Sequence, residues 1–155
     1  ILPVEFDRCY AILHDILEST PHRAVVCFGQ TTYSEARLEH VARNRDHVRD
    51  GEPPRHRERV IRAEAPPELS STLPLEDIAT GLTTAGIPFA HSDDAGGYVC
   101  NNLFFHLMAA PRRSSVPCGF IHMPRLGPEG WPEERIAAAG DAVIETVATF
   151  LSQDA

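Results

Sequence analysis

Short apolar runs alternate with longer amphipathic segments along this chain of 155 residues. Residues 24–28, Ala-Val-Val-Cys-Phe, form a β-branched run that ends at Gly29, as is typical of a buried strand. The helical spacing of apolar residues predicts a helix over 6–18, just before it. The same reasoning predicts further helices over 75–85, 101–110 and 132–151 and further strands over 60–63, 87–91 and 118–123. This alternation favours a three-layer α/β/α sandwich with a mixed, mostly parallel sheet.

The rest of the sequence contains less regular segments and predicts a single domain. Residues 38–42 fit either a short strand or a short helix, and residues 43–59, which contain three glycine or proline residues, are predicted to be mostly loop. A mass of 17.1 kDa and the lack of a linker or repeat predict one domain over residues 1–155. Because the chain opens with Ile1 in place of methionine, we expect this domain to be incomplete at its N-terminus.

Charge and hydropathy exclude several classes of function. The net charge of −8 opposes a general attraction to nucleic acid or to an anionic membrane, since both are bound through clustered positive charge. No apolar run approaches the roughly 20 residues that a membrane-spanning helix needs. We therefore expect a soluble, cytoplasmic protein. All fourteen basic residues are arginine, which excludes lysine-based chemistry such as a Schiff base.

The four cysteines do not form a metal-binding motif. No Cys-x-x-Cys pair occurs, and no cysteine stands near two histidines at the spacing of a zinc site, so we expect no metal. A chain of this size has core enough without disulfides, so free thiols are expected. Cys9, Cys27 and Cys118 are interpreted as small buried hydrophobic residues.

Three polar residues stand where an open α/β sheet collects its ligands, near the ends of predicted strands. Cys100 follows a Gly-Gly turn and opens a predicted helix, whose unpaired amides favour a thiolate. His122 ends a strand and could exchange the thiol proton, and Glu39 could orient its imidazole. Each residue also has a purely structural explanation, because a cysteine with a distant histidine is a weak signal by itself.

Three segments around these residues resemble the pyroglutamyl peptidase I family, the pyrrolidone-carboxylate peptidases. Residues 92–101, Ser-Asp-Asp-Ala-Gly-Gly-Tyr-Val-Cys-Asn, are similar to the family pattern that carries the nucleophile. Residues 119–124, Gly-Phe-Ile-His-Met-Pro, are similar to the pattern that carries the histidine, and residues 38–44, Leu-Glu-His-Val-Ala-Arg-Asn, to the pattern that supplies the glutamate. Their order and approximate spacing agree, and smaller matches extend the likeness along the whole chain.

The resemblance implies a cysteine exopeptidase with a phosphorylase/hydrolase-like α/β fold. Such an omega peptidase removes an N-terminal pyroglutamyl residue from a peptide through a thioester acyl-enzyme. Cys100 would be the nucleophile and His122 the base and acid, with Glu39 orienting the imidazole. Peptides beginning with pyroglutamate are the implied partners. No metal or organic cofactor is implied, and the family allows a homo-oligomer.

The resemblance also implies residues that contact the substrate. Arg49 is similar to the family arginine beside the oxyanion, and Gln30 to the family residue near the lactam. Tyr98 and Val99 would form walls of an apolar slot that suits a compact, neutral lactam, because a charged glutamate would lose its hydration there. Arg49 and Gln30 could equally be ordinary loop and turn residues, and Tyr98 and Val99 ordinary packing residues.

Departures from the family pattern leave a second interpretation open. The family begins with a strand and a Gly-Phe-x-Pro-Phe-Gly loop whose phenylalanines clamp the lactam, and this chain starts after that loop. Tyr33-Ser34 also replaces the usual Gly-Arg. The alternative is a catalytically impaired family member or fragment that binds peptides or other subunits. A nucleotide-binding role is the weakest candidate, since no glycine-rich phosphate motif occurs.

Overall fold

The protein is described by a computed structural model that covers residues 1–50, 55–110 and 116–153, without the side chains of residues 48–50 and 55–57. Its helices are α1 (Arg8–Ser19), α2 (Leu75–Thr84), α3 (Val99–Met108) and α4 (Glu133–Gln153). Its strands are β1 (Val25–Thr31), β2 (Ala36–Glu39), β3 (Val41–Arg43), β4 (Asp46–Asp50), β5 (Arg55–Arg59), β6 (Glu68–Ser70), β7 (Phe89–Ser92) and β8 (Cys118–Pro124).

The main sheet has the strand order β1-β8-β2-β7. β1 pairs with β8 in parallel and β2 pairs with β7 in parallel, whereas β2 and β8 run antiparallel. The sheet is therefore mixed and mostly parallel, as predicted. β3 pairs with β6 and β4 with β5 in two small antiparallel ladders beside it.

Helices cover both faces of the main sheet. One core contains Leu38, Ile121 and Met123 from the strands together with the apolar sides of α2 and α4. The other contains Cys27 and Phe120 with the apolar sides of α1 and α3. Successive side chains of a strand point to opposite faces, so β8 contributes to both cores. The result is the predicted three-layer α/β/α sandwich.

The helices agree with the sequence-based prediction more closely than the short strands do. The helix over 75–85 is confirmed as α2, and the helix expected from 101 begins slightly earlier, at Val99. None of the described helices is both long and apolar enough to cross a lipid bilayer.

Three predictions about the middle of the chain are wrong. Residues 43–59 are not mostly loop, since they contain β4 and β5 as a hairpin, and residues 60–63 form no strand. Strands and helices also do not alternate throughout, because the described residues between β1 and α2 hold five further strands and no helix. The hairpin is rich in arginine, aspartate and histidine, so it lacks the apolar alternation that marks a half-buried strand.

Candidate active site

The structure brings Cys100, His122 and Glu39 together on the face of the sheet that α3 covers. His122 lies on β8 and Glu39 ends β2, two strands that pair directly. The Nδ1 atom of His122 lies 2.8 Å from Oε1 of Glu39. Cys100 is in the first turn of α3, where its thiol lies close enough to His122 to raise the pKa of the imidazole. The imidazole is therefore hydrogen-bonded to the carboxylate and lies beside the thiol.

The surroundings of His122 favour a positive charge on its imidazole. Burial alone lowers its pKa, but hydrogen bonds and charge from Cys100 and Glu39 outweigh burial and raise the pKa of His122 to about 9. Glu39 is only 2% exposed, and its Oε2 atom has no hydrogen-bond partner among the described groups. A carboxylate held in this way stabilises the imidazolium next to it.

The N-terminus of α3 adds a second electrostatic contribution. Tyr98 precedes the helix in an extended conformation, and no described side chain caps the helix there. The first amides of a helix have no partner within it, and they give its N-terminus partial positive charge. Cys100 therefore lies where N–H groups are available for a developing oxyanion.

Asn101 holds the N-terminus of α3 in position. Its side chain is fully buried, and its Nδ2 group donates to the carbonyls of Arg43 and Arg45 at 2.9 and 2.8 Å. Its Oδ1 atom accepts from the amide of Arg43 at 2.9 Å. Three bonds thus tie α3 to the segment that follows Glu39. The sequence motif includes Asn101, but its role depends on contacts that the motif does not show.

Gly29 makes room for the thiol. It lies beside His122 in the β1–β8 register. A Cβ atom at position 29 would lie 3.1 Å from Sγ of Cys100 and 2.7 Å from the ring of Phe120. Any side chain here would displace the thiol or that ring. In the sequence Gly29 marks only the end of an apolar run, and its place inside β1 is seen in the structure.

The other three cysteines lie in the core. Cys9, Cys27 and Cys118 are buried, whereas Cys100 is half-buried. Burial raises the pKa of Cys9 to about 11 and that of Cys27 to about 12. These two thiols stay protonated at neutral pH, and Cys100 is the cysteine that a substrate can reach.

The predicted substrate contacts lie at different depths. Gln30 is exposed at the carboxyl end of β1. The ring of Tyr98 is 53% exposed and meets the ring of Phe6 edge-on at 5.3 Å, while Val99 is buried in the core between α1 and α3. The side chain of Arg49 is outside the described part of the structure. The contacts of all four residues with substrate stay predictions.

The chain is similar in sequence to known pyroglutamyl peptidases. The family model for pyroglutamyl peptidase matches residues 1–144. The chain is 36% identical to a pyrrolidone-carboxylate peptidase of Gloeobacter violaceus over 153 residues, which is 96% of this chain and 72% of the relative. It is 37% identical to a pyrrolidone-carboxylate peptidase of Brevibacillus brevis, covering 94% of this chain and 69% of the relative.

Solved structures show the same likeness in three dimensions. The crystal structure of pyroglutamyl peptidase I from Bacillus amyloliquefaciens matches with a TM-score of 0.85 and 27% identity, covering 95% of this chain and 76% of the other. The pyrrolidone carboxyl peptidase from Thermococcus litoralis matches with a TM-score of 0.88 and 25% identity, covering 99% of this chain and 78% of the other.

Proposed function

Because this chain belongs to the pyroglutamyl peptidase family, we propose that it cleaves N-terminal pyroglutamyl residues from peptides with Cys100 as the nucleophile. Family membership makes the chain a peptidase, and therefore a hydrolase. The observation that supports the assignment of residues is the series Cys100, His122 and Glu39, in which His122 is hydrogen-bonded to Glu39 and lies beside Cys100. This series supplies a nucleophile, a proton carrier and a group that orients the carrier, as nucleophilic catalysis requires.

The proposed reaction proceeds in two steps. In the first step, the thiolate of Cys100 attacks the acyl carbonyl that joins the pyroglutamyl residue to the peptide, and a tetrahedral oxyanion forms. When the C–N bond breaks, the imidazolium of His122 gives its proton to the departing amine, leaving a thioester. In the second step, His122 takes a proton from water as the water attacks the thioester. Pyroglutamic acid is released and the sulfur leaves as a thiolate, which restores the thiolate and imidazolium. Glu39 holds Nδ1 throughout, so Nε2 carries the exchanged proton.

The oxyanion is proposed to bind at the N-terminus of α3. The amides of the first turn, including that of Cys100, are the donors that the helix leaves free. Arg49, as the family resemblance implies, would supply a further charged donor. A preorganised donor of this kind is worth about 3 kcal/mol in transition-state stabilisation.

Selectivity is proposed to come from the surface next to Cys100. Tyr98 and Val99 immediately precede the nucleophile and would present apolar surface to the flat lactam ring. Gln30 at the end of β1 would pair with the lactam amide. A free N-terminal glutamate carries charges that such a surface would leave unhydrated, so the compact neutral ring is favoured.

Hydrolysis of a fluorogenic pyroglutamyl amide by the complete polypeptide tests this proposal. We expect release of the fluorescent amine and a fall in rate on the order of 10⁴-fold or more in Cys100→Ser, since removing a nucleophile abolishes the covalent route. Cys118→Ala is the matched control, because Cys118 is buried at the other end of β8. This control should retain activity.

Two outcomes would contradict the proposal. Undiminished turnover by Cys100→Ser would remove Cys100 as the nucleophile. A folded polypeptide that binds a pyroglutamyl peptide but shows neither hydrolysis nor acylation of Cys100 would favour the alternative, a non-catalytic peptide-binding or subunit-interaction module.

A further inference from the structure

A second cluster of polar side chains lies at the end of β2, on the residue next to Glu39. His40 follows β2 directly, His91 lies on β7, and Glu76 is in the first turn of α2. One potential ligand atom from each of these three side chains lies within 4.8 Å of the other two. None of the three takes part in the proposed reaction.

The backbone holds the two histidines close together. β2 and β7 pair in parallel, with Leu38 opposite His91 and Glu39 opposite Ser92. The amide of His40 continues this ladder by donating to the carbonyl of Ser92 at 2.7 Å. As a result, Nε2 of His40 and Nδ1 of His91 lie 2.6 Å apart. Their proximity is a consequence of the sheet register and does not need a ligand to create it.

Two imidazoles and a carboxylate are ligands that a divalent transition-metal ion accepts. Zn²⁺ binds histidine nitrogen and glutamate oxygen at about 2.0 to 2.2 Å with tetrahedral geometry. At those bond lengths two ligating nitrogens are separated by roughly 3.3 Å. The two rings would therefore exchange their mutual hydrogen bond for bonds to the ion by moving apart by less than about 1 Å. The half-buried or exposed positions of these side chains allow such a movement and give the ion access.

We propose that His40, His91 and Glu76 bind one divalent transition-metal ion of the Zn²⁺ type, with water as the fourth ligand. The site is separate from Cys100, because Glu39 contacts His122 on the face that α3 covers, whereas His40 meets a residue of α2. The bound ion would connect the end of β2, the strand β7 and the N-terminus of α2. It is an accessory site and supplies no step of the proposed hydrolysis.

Metal titration tests the proposal without measuring activity. The full chain carrying Cys100→Ser, which removes the accessible thiol as a competing ligand, is freed of metal with a chelator and titrated with Co²⁺ and Zn²⁺. We expect one equivalent of Co²⁺ to give the visible absorption of a tetrahedral site, without the band of a sulfur ligand. Zn²⁺ should displace Co²⁺ and raise the Tm.

Variants of the proposed ligands decide the outcome. In the same Cys100→Ser chain, we expect His91→Ala and Glu76→Gln each to weaken metal binding by at least roughly 10- to 100-fold. Losing a group that only supports a metal ligand costs about that factor, and losing a ligand should cost no less. Both residues are exposed, so folding should be preserved, and circular dichroism checks this. His14→Ala on α1 is the control and should bind as tightly as the parent. Unchanged affinity in either ligand variant, or a sulfur charge-transfer band, overturns the three-ligand site.

Discussion

The Glu39 carboxylate favours the protonated form of His122. It is almost fully buried, and one of its oxygens accepts from Nδ1 of His122. A buried negative charge at this distance favours the protonated imidazole over the neutral form. In the proposed reaction Glu39 would act through His122, as a positioning residue. Its effect should be visible in the pH dependence of stability as well as in the rate.

Replacing Glu39 with glutamine should therefore change both rate and pH dependence. Glu39→Gln keeps the size of the side chain but removes its charge, so kcat should fall by a factor of about 10²–10⁴. The folded-state pKa of His122 is raised from 6.5 to about 9, with burial opposing the rise and Cys100 and Glu39 causing it. That raised pKa contributes stability that is fully present below pH 6.5 and is lost as the pH rises through about 9.

Urea unfolding between pH 6 and pH 9.5 measures this contribution. In the parent chain the free energy of unfolding should lose the part due to His122 as the pH rises over this range. In Glu39→Gln the loss should be smaller, because the pKa of His122 moves back toward 6.5 when the charge of Glu39 is removed. Glu145→Gln, on the exposed side of α4, is the matched control and should follow the parent. Parallel curves for Glu39→Gln and the parent would contradict the role assigned to Glu39.

The sequence pointed to the three proposed reacting residues because their neighbours form local motifs. Cys100, His122 and Glu39 each sit in a segment that resembles a family pattern. Gly29 and Asn101 were not assigned any role, although one makes room for the thiol and the other holds α3 in place. Their importance depends on atoms that are distant in sequence, such as the ring of Phe120 and the carbonyl of Arg43, and a single sequence does not report such contacts.

The relative placement of the elements depends on a close approach between β1 and α3. Helix α3 can bring Cys100 to His122 because β1 presents a glycine at the point of contact. The sequence predicted both elements, β1 from a short β-branched apolar run and α3 from the helical spacing of its apolar residues. It did not predict the β4–β5 hairpin, because the ladder there is built from charged residues whose pairing is not encoded in an apolar pattern.

Adding a methyl group at Gly29 tests the close contact between β1 and α3. Gly29→Ala should lower kcat and destabilise the fold by about 1–3 kcal/mol, the usual cost of overpacking, because the new Cβ would meet the Phe120 ring and the Cys100 sulfur. Gly140→Ala is the control. Gly140 lies inside α4 with open space around the added Cβ, so alanine should stabilise the helix by roughly 0.5–1 kcal/mol. Thermal unfolding and the hydrolysis assay measure the two effects, and equal behaviour of both variants would argue against the close contact.

At the scale of the whole molecule, the site depends on strand order. β8 lies between β1 and β2, although about 80 residues separate it from β2 along the chain. This order places His122 diagonally across from Glu39 on one face of the sheet. The α/β class follows from local patterns, but the order of the strands follows from pairing between distant segments. That is why the sandwich could be predicted from the sequence and the geometry of the triad could not.

A buried ionic cluster joins the segments around α3. Asp46 on β4 is fully buried, and its Oδ2 atom accepts from Arg59 on β5 at 2.7 Å and from Nδ2 of Asn102 on α3 at 2.9 Å. Arg59 also pairs with Asp7, just before α1, at 3.1 Å. The hairpin and the residue before α1 therefore meet at one guanidinium group, and α3 joins them through Asp46. Asn102 links this cluster to the helix that carries Cys100.

Removing the guanidinium should loosen all of these segments at once. Arg59→Met leaves the carboxylate of Asp46 buried without its cation, so we expect a loss of about 3 kcal/mol in the free energy of unfolding. This loss is near the lower bound for breaking a buried ion pair. The Arg59 side chain is 43% exposed, so water partly replaces the guanidinium in the variant. Arg45→Met is the matched control. Its pair with Glu58 spans 3.4 Å with both partners more than a third exposed, so its removal should cost about 0–1 kcal/mol. Urea denaturation at neutral pH compares the two variants, and a loss in Arg59→Met no greater than in Arg45→Met would show that the cluster does not hold the segments together.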